Sequence, residues 1–159
     1  NYEGFKRQYV KHPRLALLSF LNKLTGSKRI IFNFYPRNFT VAAYKQANLF
    51  LFPSNIECSP IVLFECAASK LPFLATDVGN SVEISNWTKG GEIMPTGKNE
   101  SGFSHVDIKG GVKMLNEIYH NKTKREKMGN ESFEIWKEKY SWEVIARQYE
   151  QLYSKLVNQ

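Results

Sequence analysis

A chain of 159 residues that is 42% apolar and 14% aromatic is long enough to bury one core and too short for two ordinary domains. Its net charge of +7 is uneven: residues 1–37 hold eight Lys or Arg against one acid, residues 38–108 four against seven, and residues 109–159 ten against seven. The acidic centre argues against nucleic acid as a partner. The densest apolar runs, 15–21, 30–35 and 61–68, fall short of the roughly 18 residues of a membrane span, and the charged opening "NYEGFKRQYVKHPR" is no secretory signal. A cytoplasmic location is the expectation.

Leu15, Leu18, Leu21 and Leu24 recur at near-helical spacing after Pro13, and Thr25-Gly26-Ser27 ends that run. "RIIFNFY" is β-branched and aromatic, and reads as a buried strand bounded by Pro36. A short helix, "TVAAYKQA", follows with Asn38 as its cap. "NLFLFPS" is a second strand, and Pro60 then opens a helix, "IVLFECAASK". "LPFLAT" and the shorter "GGEIMP" are further strands. Beyond Gly110-Gly111 the chain reads as helical to its end, with Ser141 and Glu143 giving part of a capping pattern and Trp136, Trp142 and Tyr149 as core packing.

Strands alternating with helices of about ten residues predict an α/β class. The expected fold is a Rossmann-like, doubly wound parallel sheet with helices on both faces and a helical C-terminal tail. Residues 1–159 read as a single domain, with 112–159 as its closing helices. Ligands of such sheets sit outside the carboxyl ends of the strands, at helix N-termini. That places the expected site at residues 53–61, where a strand ends and a helix begins.

The motif there is "FPSNIECSPIVLFECAASKLP", in which Glu65 interrupts an apolar run. An unpaired buried charge is costly, so Glu65 either turns outward or binds something. Pro60 has no N–H, leaving Ile61, Val62 and the Ser59 hydroxyl to meet an anion at the helix start. Glu57 lies in the loop before that helix and Glu65 within it, and carboxylates accept well from vicinal hydroxyls. A ligand carrying hydroxyls, then phosphate, then more hydroxyls fits this order: a nucleotide sugar. Cys58 and Cys66, about 10 Å apart if a helix joins them, read as free thiols. No His completes a metal-ligand spacing with them. The five Asn-x-Ser/Thr triplets read as chance.

Glu57-x7-Glu65, within "SNIECSPIVLFECAASKLPFLATDVGNSVEI", resembles the Glu-x7-Glu motif of retaining glycosyltransferases of family four, which have the GT-B architecture of two Rossmann-like domains. "YKQANLFLFPS", "KLPFLATDVGNSVEI" and "REKMGNESFEIWKEKYSWEVIARQYEQLY" resemble its flanking segments, so that the likeness covers residues 29–159.

The resemblance implies a donor-binding C-terminal domain that lacks its N-terminal acceptor-binding partner domain and is inactive alone. In that reading Glu57 serves catalysis by contacting the donor sugar. Ser59, Ile61 and Val62 bind sugar or diphosphate, Glu65 binds the ribose, and Arg37, in a loop, reaches the base or the phosphates. The partner is a nucleotide-sugar donor; no metal or other cofactor is implied.

Three departures stand out: Cys58-Ser59-Pro60 replaces a glycine-rich turn, Lys70-Leu71-Pro72 replaces Gly-Leu-Pro, and Gly79-Asn80 replaces Gly-Gly. The family's first strand and its diphosphate-binding Arg and Lys have no counterpart. The alternative is a non-catalytic binding or assembly module that contacts a partner or an anionic membrane surface, at the inner membrane face, through its basic ends. A dinucleotide oxidoreductase is disfavoured, because no Gly-x-Gly-x-x-Gly follows a strand.

Overall fold

The computed structural model describes residues 36–157, together with Leu17, Phe20 and Leu24. Those three residues are helical and exposed. The rest of the first predicted helix and the strand "RIIFNFY" lie outside the described residues. Two compact units divide the chain, Asn1–Thr40 and Val41–Gln159.

In the first unit, helix α1 (Arg37–Gln46) begins. Its opening turn closes onto Pro36, whose carbonyl accepts from the Phe39 and Thr40 N–H groups at 3.0 and 3.1 Å. The helix therefore starts earlier than expected. Asn38 lies inside its first turn and does not cap it, and Arg37 is helical where a loop was expected.

The second unit is a three-stranded parallel sheet, β1 (Phe50–Phe52), β2 (Phe73–Ala75) and β3 (Gly91–Ile93), in that spatial order. Helix α2 (Ile61–Ala68) joins β1 to β2, and α3 (Ser81–Thr88) joins β2 to β3. Side chains alternate across a strand, and β2 shows what that does here. Phe73 and Ala75 join Leu63 and Cys66 of α2 and Ile84 of α3 in one cluster, while Leu74 joins Met94 and Ile118 on the opposite face. Ile118 belongs to α4 (Ile108–His120). Helices thus cover both faces of the sheet, as a doubly wound fold requires.

The ends of α2 explain its length. Pro60 caps the helix rather than forming its first residue, and its carbonyl accepts from the Leu63 N–H at 3.0 Å. At the other end the N–H of Leu71 reaches the Cys66 carbonyl at 2.9 Å and that of Lys70 reaches Ala67 at 3.1 Å. This is a Schellman closure, in which the residue past the cap is left-handed. Lys70 takes that conformation, with φ at 57°.

Helix α5 (Lys122–Lys139) crosses the same corner. A Cβ on Gly129 would lie 2.2 Å from the Lys70 carbonyl oxygen, so only glycine permits the approach. Tyr140, just past α5, lies tilted against Phe64 of α2 and stacked on Trp87 of α3, at 5.3 and 6.3 Å between ring centres.

Four features were not legible. Helix α3 was not expected, nor was the antiparallel hairpin of β4 (Thr96–Lys98) and β5 (Ser104–Val106). Helix α4 starts at Ile108, ahead of Gly110-Gly111, because the Asp107 carboxylate accepts from the N–H groups of Lys109 and Gly110. Trp142 and Tyr149 lie on α6 (Trp142–Val157) and are 75% and 55% exposed, so they are not core residues. Trp136 is half-buried against Phe133. Among the described residues no helix is long and apolar enough to cross a membrane.

Candidate functional site

The loop from Pro53 to Ser59 leaves β1 at the carboxyl edge of the sheet and delivers the chain to α2. Three neighbours hold it by its carbonyls. The buried Thr76, one residue past β2, donates its hydroxyl to the Ser54 carbonyl at 2.6 Å. The Ser104 N–H, from β5, donates to the Asn55 carbonyl at 2.9 Å. The Asn80 N–H donates to the Cys58 carbonyl at 3.1 Å. These contacts leave the side chains of the loop facing outward.

Glu57 is one of them. It is exposed, and its Oε1 accepts from the Ser54 hydroxyl at 3.2 Å. Cys58 and Ser59 are exposed as well. The chain then enters α2 through the buried Pro60. Ile61 and Val62, its first two helical residues, make no N–H hydrogen bond among the described residues. Unpaired N–H groups and the positive end of the helix dipole favour an anion there.

Glu65 is the fifth residue of α2, about 6 Å along its axis from Ile61. The buried residues Leu63, Cys66 and Ala67 define the inner face of the helix. Glu65 falls on the other side, one turn after Ile61, which is 57% exposed. The carboxylate in the apolar run therefore avoids the core; it is half-buried and already engaged in a polar or electrostatic interaction. Burial pushes the neighbouring Cys66 thiol far up, and the Glu65 charge pushes it further. Cys66 is inert, and Cys58 is a free, exposed thiol.

Of the residues expected at the site, Glu57, Ser59, Ile61, Val62 and Glu65 follow one another on this strand–loop–helix unit. Arg37 is exposed and belongs to the first unit. Gly79 supplies a turn: its φ is +52°, and an added Cβ would lie 2.2 Å from the Cys58 carbonyl oxygen. The supporting residues Thr76 and Ser104 were missed. Both act on main-chain atoms of another segment, which leaves no mark in a sequence. Ser54 stands three residues before Glu57 in the same loop, and that spacing was a usable signal. Among the described residues no group of His, Cys, Asp and Glu is placed to hold a metal ion.

Comparison with known proteins bears on the family and the fold. The chain is 28% identical over 156 residues to a protein described as a probable sucrose-phosphate synthase of Thermosipho melanesiensis, covering 97% of this chain and 31% of the relative. A solved sucrose-phosphate synthase of Thermosynechococcus elongatus superposes with a TM-score of 0.69 at 22% identity, covering 94% of this chain and 35% of that one. At that identity the likeness speaks for the fold, the Rossmann-like layer expected of one half of a GT-B enzyme. The chain spans about a third of the length of either protein. A family model described as glycosyl transferases group 1 matches residues 12–119, and the chain accordingly belongs to the group 1 glycosyltransferases.

Proposed function

We propose that this chain binds a nucleoside diphosphate sugar at the junction of β1 and α2, as the donor-binding part of an enzyme that moves the sugar onto an acceptor hydroxyl with retention of configuration. The observation that carries this reading is the order of groups along one braced segment. It runs from the Glu57 carboxylate through the open N–H end of α2 at Ile61 and Val62 to the Glu65 carboxylate one turn further. Sugar hydroxyls would meet Glu57, the diphosphate would meet the helix end with the Ser59 hydroxyl beside it, and ribose hydroxyls would meet Glu65. Family membership, together with relatives described as sucrose-phosphate synthases, supports the same class of substrate.

The chemistry asked of these residues is electrostatic. As the bond from sugar to diphosphate breaks, negative charge gathers on the departing phosphate, and fixed N–H dipoles aimed at it stabilise that charge without reorganising. The carboxylates orient the sugar and ribose and need not exchange protons. An N-terminal acceptor-binding domain would bring in the attacking hydroxyl, and no metal takes part in this scheme. This length of chain then binds donor without turning it over.

Calorimetric titration with UDP, ADP and GDP in turn tests the reading. Saturable binding of one of them is expected, weakened more than tenfold by Glu65→Ala, which removes the ribose acceptor. If none binds, or if Glu65→Ala changes nothing, the reading falls and a non-catalytic binding module takes its place.

A further inference from the structure

Glu57 stands on a loop, and loops position side chains less tightly than helices or strands. This loop is an exception. Ser54, Asn55 and Cys58 each give their carbonyl to a donor from a different segment: the Thr76 hydroxyl, the Ser104 N–H and the Asn80 N–H. Only Ile56 and Glu57 lie between the second and third anchors.

The donors are themselves tied together. The Ser104 hydroxyl donates to the Asp77 carbonyl at 2.8 Å, and the Asp77 N–H donates to the Thr96 hydroxyl at 3.1 Å. The hairpin thus grips the turn after β2 while holding the loop after β1. Thr76 is fully buried and Ser104 is 4% exposed, so these bonds are partly shielded from water on the donor side. Gly79 admits the Cys58 carbonyl where any side chain would collide with it. The last link is the Ser54 hydroxyl, which lies 3.2 Å from both Glu57 Oε1 and the Ile56 carbonyl and shares its one proton between them, in the residue whose carbonyl Thr76 holds.

We infer that Thr76, Ser104 and Gly79 are positioning residues for Glu57: they fix the loop by its main chain so that the carboxylate meets the donor sugar at a set distance from the open end of α2. The inference rests on the donor-binding reading above and adds what sets the sugar subsite. None of the three touches the ligand. Their loss should therefore weaken recognition of the sugar and spare recognition of the nucleotide.

Paired titrations of UDP-glucose, ADP-glucose and GDP-mannose against UDP, ADP and GDP separate these effects. Thr76→Val keeps the shape of the side chain and deletes only its hydroxyl. It should weaken the preferred nucleotide sugar roughly tenfold while leaving the matching diphosphate within about twofold. Ser104→Ala should show the same split, and Glu57→Gln should show it most strongly. Thr76→Val combined with Glu57→Gln should bind no more weakly than Glu57→Gln alone, because both changes remove one interaction. Gly79→Ala should reproduce the split if it folds; if it does not, Thr76→Val and Ser104→Ala decide. Equal weakening of sugar and diphosphate, full affinity in Thr76→Val, or additive losses in the double variant would overturn the inference. Unchanged sugar affinity in Glu57→Gln would instead sink the donor-binding reading, and so would an inert parent chain; either result takes this inference with it.

Discussion

Helices α2 and α6 both carry apolar residues at helical spacing and end up in opposite circumstances. The first has eight residues, three of them buried, and packs among the sheet, α3 and α5. The second has sixteen residues and buries none, although Tyr149, Leu152, Tyr153 and Leu156 fall at helical spacing along it. Eight residues are too few to hold a helix alone in water, so α2 exists because its neighbours order it. Helix α6 closes its first turn on its own preceding residue, the Val144 and Ile145 N–H groups both reaching the Ser141 carbonyl at 3.0 Å. Helical periodicity tells which residues would face an apolar partner. It does not tell whether that partner is present.

The contrast makes quantitative demands. Leu63→Ala empties a fully buried position of α2 and should cost about 3 kcal/mol in urea unfolding. A cost below about 1 kcal/mol would mean that α2 is not held by packing.

Lys70 offers a smaller test at the end of the same helix. It occupies a left-handed position that glycine fills without strain, yet its ammonium lies 4.9 Å from the centre of the Phe133 ring. Lys70→Gly should relieve about 1 kcal/mol of strain and forfeit about 0.5 kcal/mol of cation–π attraction, for a small net gain. Lys70→Ala keeps the strain and loses the attraction, so the order of stability should run Gly, Lys, Ala. The reverse order for Gly and Ala would contradict the closure described for α2.

On α6 the expectation is near silence. Leu152→Ala should stay within about 0.5 kcal/mol of the parent, because the side chain is exposed. The smallest effect concerns Glu143, whose carboxyl is held below the usual carboxylate range by its own N–H at the helix start and then by the Ser141 hydroxyl. A depressed folded-state value means that this contribution is present above the unfolded value and fades as pH falls through the folded one. The melting temperature of Glu143→Gln should therefore lie below that of the parent at pH 7 and converge on it at pH 2. A constant offset would rule out titration as the cause.

Legibility followed the same division between patterned and unpatterned contacts. The strands of the sheet were readable because "LFLF" and "LPFLAT" are continuous apolar runs, which buried parallel strands require. Helix α3 was not, since "SVEISNWT" carries no apolar stripe; Ser81 and Thr88 are buried there through hydroxyl bonds to nearby carbonyls. The hairpin strands "TGK" and "SHV" are too short for an alternation to register. At α4 the Gly110-Gly111 pair suggested a break, and the Asp107 cap overrode it. Within the candidate site, the acidic pair was proposed from its spacing, and the structure sets both residues on one strand–loop–helix unit. The clamp formed by Thr76, Ser104 and Gly79 was not, because main-chain carbonyls accept from any donor that the fold brings near and so leave the choice of side chain elsewhere.

The central claim is that a nucleoside diphosphate lodges against the open end of α2. Backbone amide spectra recorded while the nucleotide that binds in calorimetry is added would test it most directly. The largest shifts should fall on Ile61 and Val62, with Glu65 following and α6 unmoved. Shifts centred on α4 or α6, with Ile61 and Val62 unchanged, would contradict the account.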